Sequence, residues 1–343
     1  MIHPYSGIGV YTHQMLQYLS QNKSLKIFII VYGERKKVAK IEEMKNVIMV
    51  RFKKPRFLPM RLYLLWIEKI AITKCVQKLK PDFYFSPFPH VLSHEALKQT
   101  KCFMTLHDVF LLKNSEYTKS IFRKGYNFLL KKTLKKAHLI TVSKESSKEI
   151  KQFLHIKHSP VIIPNGIDHL LGIKAEKLKN KFKKPYIFYH GGYDSRKNIL
   201  YLLEVFEKVR KYREVNLILG GEPLFDSDLY TKVNTNKHII QTGFLDNSEL
   251  VTLYRNAECF VHLSSAEGFN IPIGEALSLG TKVVCSDIPV HREFWQTHAT
   301  FVTLKDAEKA AHEIIKVLDH KSKKQTLNLS WELASQKLLD LFM

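Results

Sequence analysis

Strand-length apolar runs alternate with longer stretches of helical period twice along this chain, and that doubled alternation constrains the fold more than any other feature. Lys26–Val31, Val47–Val50, Phe83–Phe85, Cys102–Leu106 and Leu139–Val142 form the first set. Tyr186–Tyr189, Leu217–Leu219, Ile239–Gln241, Cys259–Leu263 and Val283–Cys285 form the second, which restarts after Pro185. Short apolar strands interleaved with helices give a parallel sheet covered by helices. The pattern therefore predicts an α/β protein of two Rossmann-like halves. A length of 343 residues agrees, because a single core seldom grows past about 250–300 residues.

Between the two sets lie Ile163-Pro164-Asn165-Gly166-Ile167-Asp168 and the lysine-rich stretch Lys174–Lys184, which read as the linker. The expected domains are residues 1–168 and 169–343, the second ending in a helix over Trp331, Leu333, Leu338, Leu339 and Leu341 capped by Ser330. Four widely spaced cysteines, Cys75, Cys102, Cys259 and Cys285, have neither a zinc spacing nor the density of a disulfide framework. No apolar run approaches the ~18 residues of a spanning helix, and the start lacks the regions of a signal peptide. The expectation is a soluble or peripheral protein of a reducing cytoplasm. Lys and Arg number 54 against 32 Asp and Glu, and the net charge of +22 suits phosphates, anionic lipid or nucleic acid.

The sharpest local signal is the string from Ser265 to Gly280, directly after the apolar run Cys259–Leu263. It contains Glu267-Gly268-Phe269-Asn270 and, inside a predicted helix, Gly274-Glu275. Backbone amides of Gly268, Phe269 and Asn270 at a helix start offer donors and a positive dipole to an anion or to sugar hydroxyls. Glu275 is placed to accept hydrogen bonds from a diol such as ribose. A second signal is His190-Gly191-Gly192-Tyr193-Asp194-Ser195-Arg196-Lys197-Asn198, where glycines at a strand end permit close approach and Arg196 and Lys197 can neutralise a diphosphate. In the first half, Ser6-Gly7-Ile8-Gly9 opens a helix, a geometry that serves either phosphate contact or packing. Thr105-Leu106-His107-Asp108 follows a strand, where open α/β sheets place ligands; His107 and Asp108 can equally form a satisfied surface pair.

The Glu267–Glu275 spacing, with its flanks through Thr281–Asp287, Pro289 and Glu293, resembles the ExxxxxxxE motif of family 4 glycosyltransferases. Arg196 and Lys197 match that family's donor-phosphate pair, Gly7 and Gly9 its N-terminal loop, and His107 its strand-end histidine. The resemblance implies the GT-B fold, two Rossmann-like domains facing across a cleft, with the C-terminal helix crossing back to the N-domain. It implies a retaining transferase that takes sugar from a nucleotide-sugar donor, with GDP-mannose favoured, by a front-face mechanism. His107, Glu267, Arg196 and Lys197 become the catalytic candidates. Gly7, Gly9, Gly192, Arg196, Lys197, Gly268, Phe269, Asn270 and Glu275 become the donor-binding candidates, with Glu267 addressing the sugar and Glu275 the ribose. Asn270 stands where the family often has glycine. A lipid-linked or oligosaccharide acceptor, cell-surface polysaccharide or lipopolysaccharide assembly, and work at the inner face of the plasma membrane follow from family habit.

No cofactor and no metal are expected. Asp226-Ser227-Asp228 spells a metal-dependent transferase motif, but it follows a Gly-Gly-Glu-Pro loop, where acids commonly serve turns. Basic residues interleaved with large apolar ones in Arg51–Lys80 and Lys119–Lys136 suit either an anionic membrane surface or ordinary packing on the sheet. Two rival functions share parts of this pattern: a GT-B nucleotide-sugar epimerase, and a nucleic-acid-binding protein suggested only by the charge. Only Met1-Ile2-His3-Pro4-Tyr5-Ser6 precede Gly7, too few for the buried central strand that normally feeds a Rossmann glycine turn. The first N-terminal strand is expected to be missing, and Met1 to be an internal start.

Overall fold

In the computed structural model, which describes residues 6–32, 44, 46–52, 59–113, 121–177, 182, 185–221, 227–320 and 327–343, each of the ten apolar runs becomes a strand. The first five are β1 (Ile27–Tyr32), β2 (Val47–Phe52), β3 (Phe83–Ser86), β4 (Lys101–Thr105) and β5 (His138–Thr141). A short β6 (Val161–Ile162) follows. The second set is β7 (Tyr186–His190), β8 (Asn216–Gly220), β9 (Ile239–Gly243), β10 (Cys259–His262) and β11 (Val283–Ser286), closed by β12 (Thr300–Val302). Among the described residues all pairings are parallel, as the alternation with helices requires.

The chain divides into two units, Met1–Pro164 with Trp331–Met343, and Asn165–Ser330. The division falls after Pro164, four residues before the expected boundary at 168, and the terminal helix Trp331–Phe342 belongs to the first unit. Its packing explains that membership. Trp331 is fully buried with its ring 6.0 Å from that of Tyr11, Ser335 donates to Met15 Sδ at 3.2 Å, and Phe342 stacks on Phe83 at 3.9 Å. Asn165–Asp168 is equally no free linker. Asn165 and Ile167 are buried, and Ile167 N–H donates to the Leu329 carbonyl at 3.1 Å.

In the first unit β1 pairs with β2, and β3 to β6 form a separate sheet in sequence order. The residues ahead of Ser6, on which the expected missing strand turns, lie outside the described ones. The second unit carries a six-stranded sheet in the order β12-β11-β10-β7-β8-β9. The chain winds outward from β7 to β9 and then returns to lay β10 against the other side of β7. The order thus reverses between β7 and β10, and the carboxyl ends of two such strands are where doubly wound sheets bind ligands.

Helix starts follow local chemistry. Ser6, Ser93 and Ser143 each accept a hydrogen bond from the first turn of the helix they precede, and Asp246 with Glu249 forms a full capping box. The four cysteines are free and buried.

One buried acid makes stability depend on pH. The helical stretch 60–79 widens to a π-helical turn over Ile67–Ala71, which carries Glu68 into the core. Glu68 accepts from Val91 N–H at 3.2 Å and Tyr126 OH at 3.1 Å. Burial nevertheless pushes its carboxyl from 4.5 up to about 7. The folded state therefore binds this proton more tightly than the unfolded chain, so the contribution is greatest at acidic pH and falls as pH rises toward 7. Glu68→Gln, neutral at every pH, is expected to be more stable than the parent at pH 8 by on the order of 2 kcal/mol, and not at pH 5. Urea melts at the two pH values check this; an equal difference at both would contradict it.

Candidate active site

Two loops leave the point where the second sheet reverses. From β7 the chain runs through Gly191, Gly192, Tyr193 and Asp194 into the tight turn Ser195–Lys197 and the helix Ile199–Arg210; from β10 it runs through Glu267 into the helix Ile271–Ser278. Because β7 and β10 are neighbours, the loops meet. Ser265 donates to the Arg196 carbonyl through its N–H at 2.8 Å and its hydroxyl at 3.2 Å, and Asn198 Nδ2 donates to the Leu263 carbonyl at 3.3 Å.

This stitching brings three expected catalytic residues into one charge cluster. Lys197 Nζ lies 2.7 Å from Glu267 Oε1, and Arg196 Nη1 lies 3.7 Å from Glu267 Oε2. Arg196 Nε also bonds Asp194 at 3.0 Å. The Glu267 side chain is only 5% exposed. Burial alone would push its carboxyl up, but the cations of Lys197 and Arg196 outweigh that and hold it at about 2. Glu267 is thus charged throughout the physiological range. A cluster of two cations and buried carboxylate at a strand end can exchange part of its internal pairing for an incoming phosphate.

The glycines divide by necessity. A Cβ on Gly191 would lie 2.9 Å from the Tyr189 hydroxyl, and one on Gly221 would overlap the Gly191 carbonyl oxygen. Both glycines are needed for the backbones beyond β7 and β8 to pass. A Cβ on Gly192 meets only Asp194 Oδ2 at 3.7 Å, so the chain's own packing does not demand glycine there.

Glu275 sits within the helix Ile271–Ser278, its side chain 4% exposed. Tyr254 OH donates to Oε2 at 2.8 Å, His169 Nε2 lies 3.0 Å from Oε1, and His190 Nδ1 is 4.0 Å from Oε2. Burial raises its carboxyl, yet these neighbours, His169 first, bring the net shift below the usual value. Neither His169 nor Tyr254 is prominent in the sequence. His169 follows a string that reads as a hinge, and Tyr254 lies in the helix Asn247–Asn256, where an aromatic reads as core.

At the start of the same helix Asn270 adopts a left-handed φ of 72° and its side chain makes no capping bond. Its Nδ2 instead lies 3.0 Å from both His262 Nδ1 and His291 Nε2. His291 Nδ1 faces the Ser286 carbonyl at 2.9 Å and must donate to it. Burial holds both histidines neutral, so Asn270 donates to each. Phe269 is buried against Phe294 and Trp295, and Gly268 is buried beside it. Any ligand contact from Phe269 and Asn270 therefore falls to the backbone.

The remaining candidates lie in the first unit. Gly7 opens the helix Gly7–Leu19, and Gly9 N–H donates to its cap Ser6 at 3.1 Å. A Cβ on Gly7 would meet nothing within 4 Å. One turn on, the buried Tyr11 donates to or accepts from Thr105 Oγ1 at 2.9 Å and sets its ring edge-on to His107 at 4.8 Å. His107 Nε2 donates to the Pro87 carbonyl at 3.0 Å, and burial lowers its pKa. Asp108 turns toward its own chain and accepts from Phe110 N–H at 3.0 Å. Asp226 lies outside the described residues, among which no three His, Cys, Asp or Glu side chains are grouped to hold a metal ion.

The model of Glycosyltransferase Family 4 matches residues 5–169, and that of the group 1 glycosyl transferases matches residues 173–329. The chain belongs to the family 4 glycosyltransferases. Within the family it is similar to O-antigen chain mannosyltransferase B of Escherichia coli, 29% identical over 61% of this chain and 56% of that one. It is likewise 29% identical to O-antigen chain mannosyltransferase RfbU of Salmonella typhimurium, over 63% of this chain and 60% of the other. The matched region thus spans less than two thirds of either relative's length. Among solved structures, sucrose-phosphate synthase from Thermosynechococcus elongatus superposes with a TM-score of 0.70 at 17% identity, covering 98% of this chain and 90% of that one. That likeness bears on the fold, which is GT-B with two Rossmann-like units.

Proposed function

We propose that the protein is a retaining hexosyltransferase, moving sugar from a nucleoside-diphosphate sugar to a saccharide or lipid-linked acceptor in cell-surface polysaccharide or lipopolysaccharide assembly. The observation that carries this reading is the convergence of Arg196, Lys197 and Glu267 at the carboxyl ends of β7 and β10. The names of the two mannosyltransferase relatives favour GDP-mannose as donor.

In this reading the donor diphosphate takes over hydrogen bonds that Arg196 and Lys197 now give to carboxylates. Their charge then stabilises the phosphate as it leaves, the effect that most often dominates such catalysis. Glu267, kept ionised, addresses the transferred sugar, and Glu275 the ribose. His107, Gly7 and Gly9 are proposed to contact sugar and phosphate. The departing phosphate oxygen takes the acceptor's proton on the same face, which conserves the anomeric configuration. The test is incubation with GDP-mannose, UDP-glucose and dTDP-glucose, with and without EDTA. Release of free nucleoside diphosphate from GDP-mannose, undiminished by EDTA, is expected. A changed sugar on an intact nucleotide would mark an epimerase, and loss in EDTA restored by manganese would return Asp226 and Asp228 to the mechanism.

An anionic membrane surface is the proposed second partner, at the inner face of the plasma membrane. On the helix Ile121–Leu134, Phe128 is 59% exposed with Lys132 Nζ 4.4 Å from its ring. Leu62 and Ile70 are also exposed on the other basic stretch. No helix among the described residues is long and apolar enough to cross a membrane. Sedimentation with phosphatidylglycerol vesicles is expected at low salt and lost by about 0.5 M salt; salt-independent binding, or none, would contradict this.

A further inference from the structure

The second unit begins with a segment clasped to the helix that carries Glu275. Ile167 is tied by its N–H to the Leu329 carbonyl at 3.1 Å and by its own carbonyl to Ser278 Oγ at 3.4 Å. Its side chain lies against Gly274, where even a methyl group would overlap it. The backbone entering His169 is therefore fixed, and His169 Nε2 reaches Glu275 Oε1 at 3.0 Å with only 5% of its side chain exposed. From the opposite side the fully buried Tyr254 donates to Oε2 at 2.8 Å. One donor on each oxygen fixes the carboxylate plane, which a single donor would leave free to turn. An ionised carboxylate has about four acceptor sites; with one on each oxygen used internally, one on each remains. That is the arrangement a vicinal diol can meet with two parallel hydrogen bonds.

We infer that His169 is a positioning residue for nucleoside recognition, its Nε2–H orienting Glu275 so that both carboxylate oxygens face the ribose hydroxyls of the donor. The inference rests on the proposed reading of Glu275 as the ribose acceptor. It makes a demand that a purely structural histidine does not: the loss on removing the N–H must be confined to ligands that carry the diol.

The experiment is isothermal titration of the full chain with GDP and UDP, each beside its dideoxyribose counterpart, in which both ribose hydroxyls are replaced by hydrogen. The parent is expected to bind the ribonucleotide at least about tenfold more tightly than the dideoxy form, and Glu275→Gln to remove most of that preference. His169→Phe keeps a ring of similar size without the donor. It is expected to lower the preference by about fivefold or more while leaving the dideoxy affinity within about twofold, and His169→Gln, which keeps an N–H, to restore most of it. If His169→Phe does not give a cooperative melt, His169→Asn, whose amide is too short to reach Oε1, carries the same prediction. Ribo and dideoxy affinities falling together, or an unchanged preference beside a loss in Glu275→Gln, would overturn the inference alone. No preference in the parent, or a full preference in Glu275→Gln, would overturn the ribose reading and the inference with it.

Discussion

Glu267→Gln is expected to lower turnover by about 10³-fold while leaving the protein folded. The substitution keeps the shape of the side chain and removes its charge. Lys197 Nζ, now 2.7 Å from Oε1, and Arg196, 3.7 Å from Oε2, would then face a neutral amide whose NH₂ group cannot accept from either. Lys197 would lose its charged partner and Arg196 would keep its bond to Asp194 but lose its pairing with Glu267, so the proposed phosphate-binding pair would lose part of the fixed geometry that makes electrostatic stabilisation effective; losing one such preorganised contact commonly costs about 10²–10³ in rate. Loss of the contact proposed between Glu267 and the transferred sugar adds to this. Steady-state kinetics with GDP-mannose, alongside a thermal melt, check the result. Turnover within about threefold of the parent in a folded variant would remove Glu267 from the mechanism.

Gly274→Ala is expected to cause a large loss of stability in the second unit. The new Cβ would overlap Ile167 and lie 2.9 Å from Trp295 Cη2. Neither neighbour can yield cheaply. Ile167 is 1% exposed and held by Leu329, and Trp295 is completely buried against Phe269. Overpacking of this kind costs about 3 kcal/mol, or a fall of roughly 10 °C in melting temperature for a unit of this size. The double variant Ile167→Ala, Gly274→Ala makes room and should recover part of the loss. A single variant that melts with the parent would show that the clasp at residues 165–169 is loose, and would weaken the case for His169 as well.

The sheet strands were legible because buried parallel strands announce themselves as apolar runs with no polar face to interrupt them. β6 and β12 escaped because they have two and three residues, too few for any pattern. The unit boundary reads poorly for a different reason. Asn165–Asp168 looks like a hinge by composition, yet Ile167 is core, and only the three-dimensional placement of Gly274 reveals it. The two glutamates, the basic pair and the strand-end histidine could be picked out as candidates. Their partnerships could not: Lys197 and Glu267 are seventy residues apart, and what joins them is the adjacency of β7 and β10. The roles of Tyr11, His169 and Tyr254 were invisible because each is a single residue whose partners lie far away in sequence. The His107-Asp108 dipeptide carried the opposite lesson, since neighbours in sequence turn to different partners, Pro87 and Phe110.

The central claim is sugar transfer with retention from a nucleoside-diphosphate donor, and proton NMR of the product tests it most directly. With GDP-mannose and a mannoside acceptor, the newly formed glycoside is predicted to carry the anomeric configuration of the donor, with GDP released in equal amount. A product of inverted configuration, or an altered sugar still joined to GDP, would contradict the account.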